Sequence, residues 1–287
     1  MNGILLVDKP MGITSQTLVA KVKHLLHLSK VGHVGTLDPL ATGLMVLLLG
    51  EATKLSNYII SDDKTYLATI TIGKATDTED RMGKIVSQKM VEDRINVDEI
   101  LKSLNGDLLQ KPPMFSSVHH QGKKLYQYAY QGQEIERIPR LVKIHEIKRV
   151  SMITYQNNEA EFSFIANVSK GTYIRTLCVE IGTRLNYPAH MKELKRIKSG
   201  KWSLDQAYSL EDIASGKYKL ISMLEALDGY FTYEVSQNEV KDIFNGRPLL
   251  INDNNIQEQI IVVTYEKKLL GIYEKEQNIY KARRIWN

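Results

Sequence analysis

Gly32-His33-Val34-Gly35-Thr36-Leu37-Asp38-Pro39-Leu40-Ala41-Thr42-Gly43 sets a single carboxylate in a loop of glycines and small polar residues, directly ahead of the apolar run Leu44 to Leu49. That run is too short for a helix and reads as a central strand bounded by two glycines. Pro39 restricts Asp38 toward extended backbone, and the glycines at 32, 35 and 43 allow another segment of chain to come close. Such a loop can present a carboxylate rigidly. An Asp-Pro pair also starts ordinary turns, and the local pattern by itself favours that plainer reading.

Upstream, Ile4 to Val7 is a short buried strand stopped by Asp8-Lys9-Pro10-Met11-Gly12. Thr14 or Ser15 can cap a helix from Ser15 to Leu28, in which Leu18, Val19, Val22, Leu25 and Leu26 recur at helical spacing. The stretch from Ser29 to Gly43 reads as a loop. Downstream, Glu51 to Ile60 is expected to be helical, and Lys64 to Gly73 alternates as a half-buried strand with Tyr66, Ala68, Ile70 and Ile72 on one side. Asn96 to Leu104 is a further helix, closed by Asn105-Gly106. Phe162, Phe164, Ala166 and Val168 mark another strand, which passes through Ser169-Lys170-Gly171-Thr172 into a helix burying Ile174, Leu177, Cys178, Ile181 and Leu185. After about Tyr230 the pieces become short and β-rich, as in a compact C-terminal module. The order does not repeat as βαβ units, so the expected class is α+β, with a mixed, mostly antiparallel sheet flanked by helices.

The chain has 287 residues, 43% hydrophobic and 25% charged, enough for one large domain and a small one. No apolar run approaches the roughly 18 to 20 residues of a membrane span and no signal-peptide core follows Met1, so a cytoplasmic location without membrane attachment is expected. A single cysteine, Cys178, rules out an internal disulfide and a thiolate metal cluster. The sequence has no phosphate-binding Gly-x-x-x-x-Gly-Lys-Ser/Thr loop, no Gly-x-Ser-x-Gly elbow and no His-Glu-x-x-His pair. The formal charge of +5 permits a polyanionic partner. Basic residues gather in His119 to Lys124, Arg137 to Arg149 and Lys192 to Lys201, interleaved with Tyr126, Tyr128, Tyr130 and Trp202. Any one cluster reads as solvated surface. Three of them with aromatic neighbours point to nucleic acid, because cations meet phosphates while rings stack on unpaired bases.

The opening stretch resembles the catalytic motif of the TruB family of tRNA pseudouridine synthases, through Gly32-His33 and Gly35 to Gly43. Asp8-Lys9-Pro10 with Gly12, Thr14 and Ser15 is similar to that family's N-terminal motif, and Lys64-Thr65-Tyr66 to the segment supplying its active-site tyrosine. Gly73, Thr76-Asp77-Thr78-Glu79-Asp80 and Gly83 fit the next block. Gln110, Pro112-Pro113, Ser116, Gly122, Leu125-Tyr126 and Ala129 resemble the RNA-gripping insertion, and Ser169-Lys170-Gly171-Thr172-Tyr173-Ile174-Arg175 the block with the family's arginine. Leu194, Arg196, Ser199 and Gly200 fit the last. His119, Phe115 and Tyr130 depart from the family's usual lysine, tyrosine and arginine, and Ile197 from a frequent threonine. Gly246-Arg247-Pro248, Leu270-Gly271-Ile272 and Ala282-Arg283-Arg284-Ile285 resemble, less specifically, a small PUA RNA-binding module.

The resemblance implies a catalytic domain over residues 1–230 with an insertion at about 107–148, and a PUA-like domain over 231–287. It implies isomerisation of the uridine at position 55 in the T loop of tRNA: cleavage of the N1 to C1′ bond, rotation of the base and rejoining through C5. No cofactor or metal is called for. Asp38 would be the essential carboxylate, acting as nucleophile at C1′ or C6 or as base toward C2′. Arg175 would pair with it through a bidentate fork, and Tyr66 would stack on the uracil. Tyr173 and Leu194 would shape the pocket, and His33 would stabilise the flipped nucleotide. Lys9, Lys64 and Lys170 are candidates for phosphate contact or loop support. The expected partner is the T arm of tRNA, bound by a monomer. Two rival readings stand beside this one, a noncatalytic tRNA chaperone or ribosome-assembly factor on the same fold, and a hydrolase releasing free uracil.

Overall fold

In the computed structural model, residues 1–59, 63–91, 95–251 and 256–286 are described. Strand β1 (Gly3–Lys9) runs antiparallel to β3 (Thr42–Leu49), placing Val7 opposite Met45 and Lys9 opposite Gly43. Between them, helix α1 (Ser15–Leu25) is capped by Thr14, whose hydroxyl accepts the Thr17 N–H at 3.0 Å. The helix stops three residues short of its expected end, and His27 turns the chain at φ 51°.

The expected loop from Ser29 to Gly43 is half strand. Val31–Val34 forms β2 and pairs with the far edge of β3, His33 opposite Leu47. With β1 on one edge, β3 still needs partners for the backbone groups of its other edge, and β2 supplies them. Only Gly35 to Ala41 remains irregular, which shortens the span that must be held around Asp38. The helix expected over Glu51 to Ile60 is a 3-10 turn at Gly50–Leu55; Ile60 itself lies outside the described residues.

The large sheet continues through β4 (Asp63–Ile72), β5 (Gly106–Gln110), β6 (Arg140–Arg149), β7 (Glu159–Ser169) and β8 (Ala189–Ser199), in the order β1-β3-β8-β4-β7-β6-β5. All neighbours are antiparallel except β3 and β8, which meet in parallel at Thr42 and Gly43. There the strands come so close that a Cβ on Gly43 would lie 2.4 Å from the Arg196 carbonyl oxygen, and φ is +97° besides. Glycine is required at that crossing. Helix α2 (Val97–Ser103) packs near β6, and α3 (Leu125–Tyr130) lies in the 107–148 region. Helix α4 (Ile174–Arg184) follows β7 and packs on β8.

Alternation sorts the sheet into two buried faces. Leu5, Val7, Met45, Leu47, Tyr66, Ala68, Phe162 and Phe164 share one core with Leu18 and Val22 of α1 and Leu177 and Ile181 of α4. Ile4, Leu6, Leu44, Val46 and Leu48 face the other way, toward Trp202, Leu227, Val262, Ile272 and Trp286. Val262 and Ile272 come from a four-stranded C-terminal sheet of β9 (Phe231–Glu234), β10 (Ile260–Tyr265), β11 (Lys268–Glu276) and β12 (Ile279–Ile285), and Trp286 directly follows its last strand. That sheet therefore covers the back of the strands bearing the Asp38 loop. It also carries a helix, Gln237–Phe244, which the β-rich texture of the sequence did not suggest.

Candidate active site

Asp38 leaves the loop at the mouth of a cleft of about 430 Å³, within the range of small-molecule sites. Its loop is fastened by side chains rather than by a ladder. Ser15, at the first turn of α1, accepts the Leu37 N–H at 2.8 Å and donates to the Leu37 carbonyl at 3.0 Å. Lys9 is fully buried, and its ammonium donates to the carbonyls of Ile13 at 2.8 Å, Pro10 at 3.0 Å and Pro39 at 3.3 Å. The Gly12 N–H adds a 2.9 Å bond to the same Pro39 carbonyl. Of the two roles open to Lys9, the structure thus gives it loop support; it offers no surface to a phosphate. Burial brings its pKa down to about 8, with Asp38 opposing and Arg196 assisting.

Arg175, near the start of α4, is 4% exposed and places Nε 2.9 Å from Asp38 Oδ2. The expected bidentate fork does not form. The other two guanidinium nitrogens are committed elsewhere, Nη1 to the Thr78 carbonyl at 3.1 Å and Nη2 to the Phe115 carbonyl at 2.8 Å. One arginine thereby ties together the Asp38 loop, the turn after β4 and the 107–148 region. The turn is itself fixed, since Glu79, at φ 62°, accepts the Thr176 hydroxyl at 2.8 Å, and Asp80 accepts the Thr78 hydroxyl at 2.8 Å. Desolvation in the cleft raises the Asp38 pKa above its ordinary value, while the Arg175 charge pulls the other way. With 39% of its side chain open to the cleft, Asp38 is reachable by a ligand.

A family model described as TruB family pseudouridylate synthase (N terminal domain) matches residues 23–174, and one described as tRNA pseudouridylate synthase B C-terminal domain matches 175–230. The chain belongs to the TruB family of pseudouridylate synthases. It is 43% identical to tRNA pseudouridine synthase B of Bacillus licheniformis, across 95% of this chain and 92% of that protein. With its Streptococcus sanguinis counterpart the identity is 37%, over the whole of both. The fold is shared with a chain of an H/ACA RNP bound to a substrate RNA containing 2′-deoxyuridine (TM-score 0.72, 20% identity, 99% of this chain and 85% of that one). An archaeal box H/ACA sRNP Nop10-Cbf5 complex gives a TM-score of 0.69 at 22% identity, over 99% and 85%.

In this TruB-family chain the cleft gathers Asp38, Arg175, Tyr66, His33, Tyr173, Lys64, Lys170 and Leu194, eight of the nine residues singled out in the sequence; Lys9 lies behind the wall. Tyr66 projects from β4 and is 7% exposed, and Leu194 flanks it from β8. Tyr173 is held by its backbone, for Gln110 accepts its N–H at 2.7 Å and donates to its carbonyl at 2.9 Å. Burial raises its phenol pKa. His33 Nδ1 is buried with no partner among the described residues, and burial lowers the ring's pKa, so the imidazole is neutral near pH 7.

Two residues of the cleft were not singled out in the sequence: Ser56 and Asn57, after the 3-10 turn, line it. Arg196 was counted both in the basic run Lys192 to Lys201 and in the last motif block, without a role. It is instead wholly buried, donating from Nε to the Leu44 carbonyl at 2.7 Å and from Nη1 to the Thr36 carbonyl at 3.2 Å. Nη2 lies 3.0 Å from Met45 Sδ. Strand alternation held the clue, because Leu194 and Arg196 share a face. The rest of that run is partly neutralised as well: Lys192 pairs with Glu161 at 2.6 Å and Lys201 with Asp228. No group of three or more His, Cys, Asp or Glu among the described residues could hold a metal ion.

Proposed function

We propose that this chain isomerises the uridine at position 55 in the T loop of tRNA to pseudouridine, with Asp38 as the essential carboxylate and the target base flipped into the cleft. The observation that carries the reading is the reachable Asp38 carboxylate beside the buried Arg175 guanidinium, in a cleft walled by Tyr66 and Leu194. Supporting it, the Bacillus licheniformis relative is a tRNA pseudouridine synthase B by name and aligns nearly end to end.

Asp38 attacks C1′ or C6, or takes the C2′ proton, and all three routes use the ionised form. Arg175 keeps that form favoured in a desolvated site and fixes the rotamer. Tyr66 stacks on the uracil, Tyr173 and Leu194 shape the pocket, and His33 stabilises the flipped nucleotide. Extrusion costs a few kcal/mol, offset by stacking and polar contacts in the pocket. Lys64 and Lys170, at the rim, meet phosphates. Residues 1–230 form the catalytic domain and 231–287 the PUA-like RNA-binding domain; the whole acts on the T arm as a monomer.

The test is incubation of unmodified tRNA transcript with wild type and with Asp38→Asn, followed by carbodiimide labelling and reverse transcription. A stop one nucleotide before the T-loop uridine is expected with wild type alone. Absence of that stop would remove the assignment, and release of free uracil would replace it with hydrolysis.

A further inference from the structure

Arg196 carries a full positive charge into the core with no carboxylate of a described residue in salt-bridge range. A guanidinium does not shed its proton, so its partners are two carbonyls and a thioether, none of which cancels the charge. Burying a charge without a paired countercharge is costly, even with hydrogen bonds to carbonyls. Arg175, by contrast, is balanced by Asp38 at 2.9 Å.

The position of Arg196 suggests a use for its charge. It sits directly opposite Tyr66 in the antiparallel register of β8 and β4, so both side chains lie on one face of the sheet. It borders the cleft from behind, with no exposed surface. Its charge is felt at His33 and at Lys9, whose pKa values it helps to lower after burial has done most. A field source behind a dry wall acts in low dielectric, where it is strongest and needs no reorganisation.

Resting on the reading of the cleft as a uridine isomerase site, we propose that Arg196 is a fixed charge beneath the base pocket that stabilises the electron pair arriving on the uracil when its bond to ribose is broken. The demand is the same on every route open to Asp38. If Asp38 bonds to C1′, an ester forms and the N1–C1′ pair leaves on N1. If Asp38 takes the C2′ proton, a C1′=C2′ double bond forms and the pair again leaves on N1. If Asp38 adds at C6, the C5–C6 pair moves to the O4 enolate, and the N1–C1′ pair then leaves on N1. Rejoining through C5 breaks the Asp38–C1′ ester on the first route and returns the abstracted proton to C2′ on the second; on the third, loss of the C5 proton restores C5=C6 as Asp38 leaves C6. On every route C5 gives up its proton and N1 gains one, which ends the need. Arg196 touches no reacting atom, so it is a positioning residue in the electrostatic sense, holding Thr36 and Leu44 while its charge faces the base.

The experiment compares Arg196→Gln and Arg196→Lys with wild type under single-turnover conditions, on T-arm RNA bearing either uridine or 5-fluorouridine at the target. Fluorine at C5 withdraws electrons and stabilises the anionic base by itself; with no C5 proton to release, that base stops after rejoining, so both substrates are followed by loss of the starting nucleoside after nuclease digestion. For Arg196→Gln we expect a loss of about 100-fold on uridine. On 5-fluorouridine the loss should be several-fold smaller, with RNA affinity unchanged on both. Arg196→Lys keeps the charge and should show a shallower loss with the same ordering. If thermal melting shows the Gln protein unfolded, the Lys protein carries the comparison. Equal losses on the two substrates, or none, would overturn the proposal, because a purely structural arginine disturbs both alike. Wild type failing on uridine would instead overturn the function on which the proposal rests.

Discussion

Between Thr36 and Ala41, side chains from three separate elements grip the backbone: Arg196 takes the Thr36 carbonyl, Ser15 both groups of Leu37, and Lys9 the Pro39 carbonyl. Between residues 111 and 139 the chain is held differently. Its ties to the body include the Phe115 carbonyl on Arg175, while Tyr130 and Ile138 are 79% and 81% exposed. The first region has its geometry fixed before substrate arrives, as chemistry at a carboxylate requires. The second leaves its aromatic surface open to adapt, which suits the RNA-gripping role proposed for it. Arg175 belongs to both, so under that proposal the grip on RNA and the orientation of the carboxylate meet in one side chain.

Substitutions should separate the regions by the parameter they change. Asp38→Asn is expected to remove turnover by about four orders of magnitude or more while leaving RNA affinity intact, measured by single-turnover conversion and filter binding. Arg175→Ala should lower turnover by about 100-fold to 1000-fold. It should also shift the acidic limb of the rate profile. Burial already raises the Asp38 pKa, so activity falls with decreasing pH above the ordinary aspartate value of about 3.9. Losing the cation raises that pKa further and moves the limb to higher pH; an unmoved limb would show that Arg175 does not govern the ionisation of Asp38.

Ser15→Ala leaves Leu37 with two unsatisfied buried groups, at a cost of about 1–3 kcal/mol in urea unfolding and a fall in turnover with Kd unchanged. Lys9 gives a smaller effect with a definite sign. Its folded pKa of about 8 lies below the unfolded value of about 10.4, so between those values the unfolded chain binds more protons and stability rises with pH. A gain of about 2 kcal/mol from pH 7 to 9.5 is expected, and Lys9→Met should abolish it. Smallest of all, Tyr130→Ala should leave stability within about 0.5 kcal/mol, since its ring is mostly in solvent. It should weaken RNA binding by about 1 kcal/mol without changing single-turnover rate at saturation. A rate defect there would erase the contrast between the regions.

The contrast also explains what could be read from the sequence. The strands were legible where alternation was strong, as at Tyr66 to Ile72 and Phe162 to Val168, because burial on one face leaves a period of two. Val31–Val34 was not, since a four-residue strand with glycine and histidine inside owes its state to the waiting edge of β3. Asp38 stood out locally only as a turn residue, and the pairing with Arg175, 137 positions later, rested on resemblance alone. Even so the resemblance suggested two bonds to Asp38 where the backbone carbonyls of Thr78 and Phe115 claim the other nitrogens. Arg196 was matched to a motif block, but its burial was masked by its neighbours, because a strand that alternates lysine with core residues looks like a basic patch until one face is seen to be closed.

The seam between the two sheets has an optical consequence. The chain has two tryptophans, Trp202 and Trp286, and both are buried in the single cluster where the C-terminal strands meet the back of β1 and β3. Intrinsic tryptophan emission therefore originates at that seam. A red shift on mild denaturation would report the C-terminal sheet lifting away from the strands that carry Asp38.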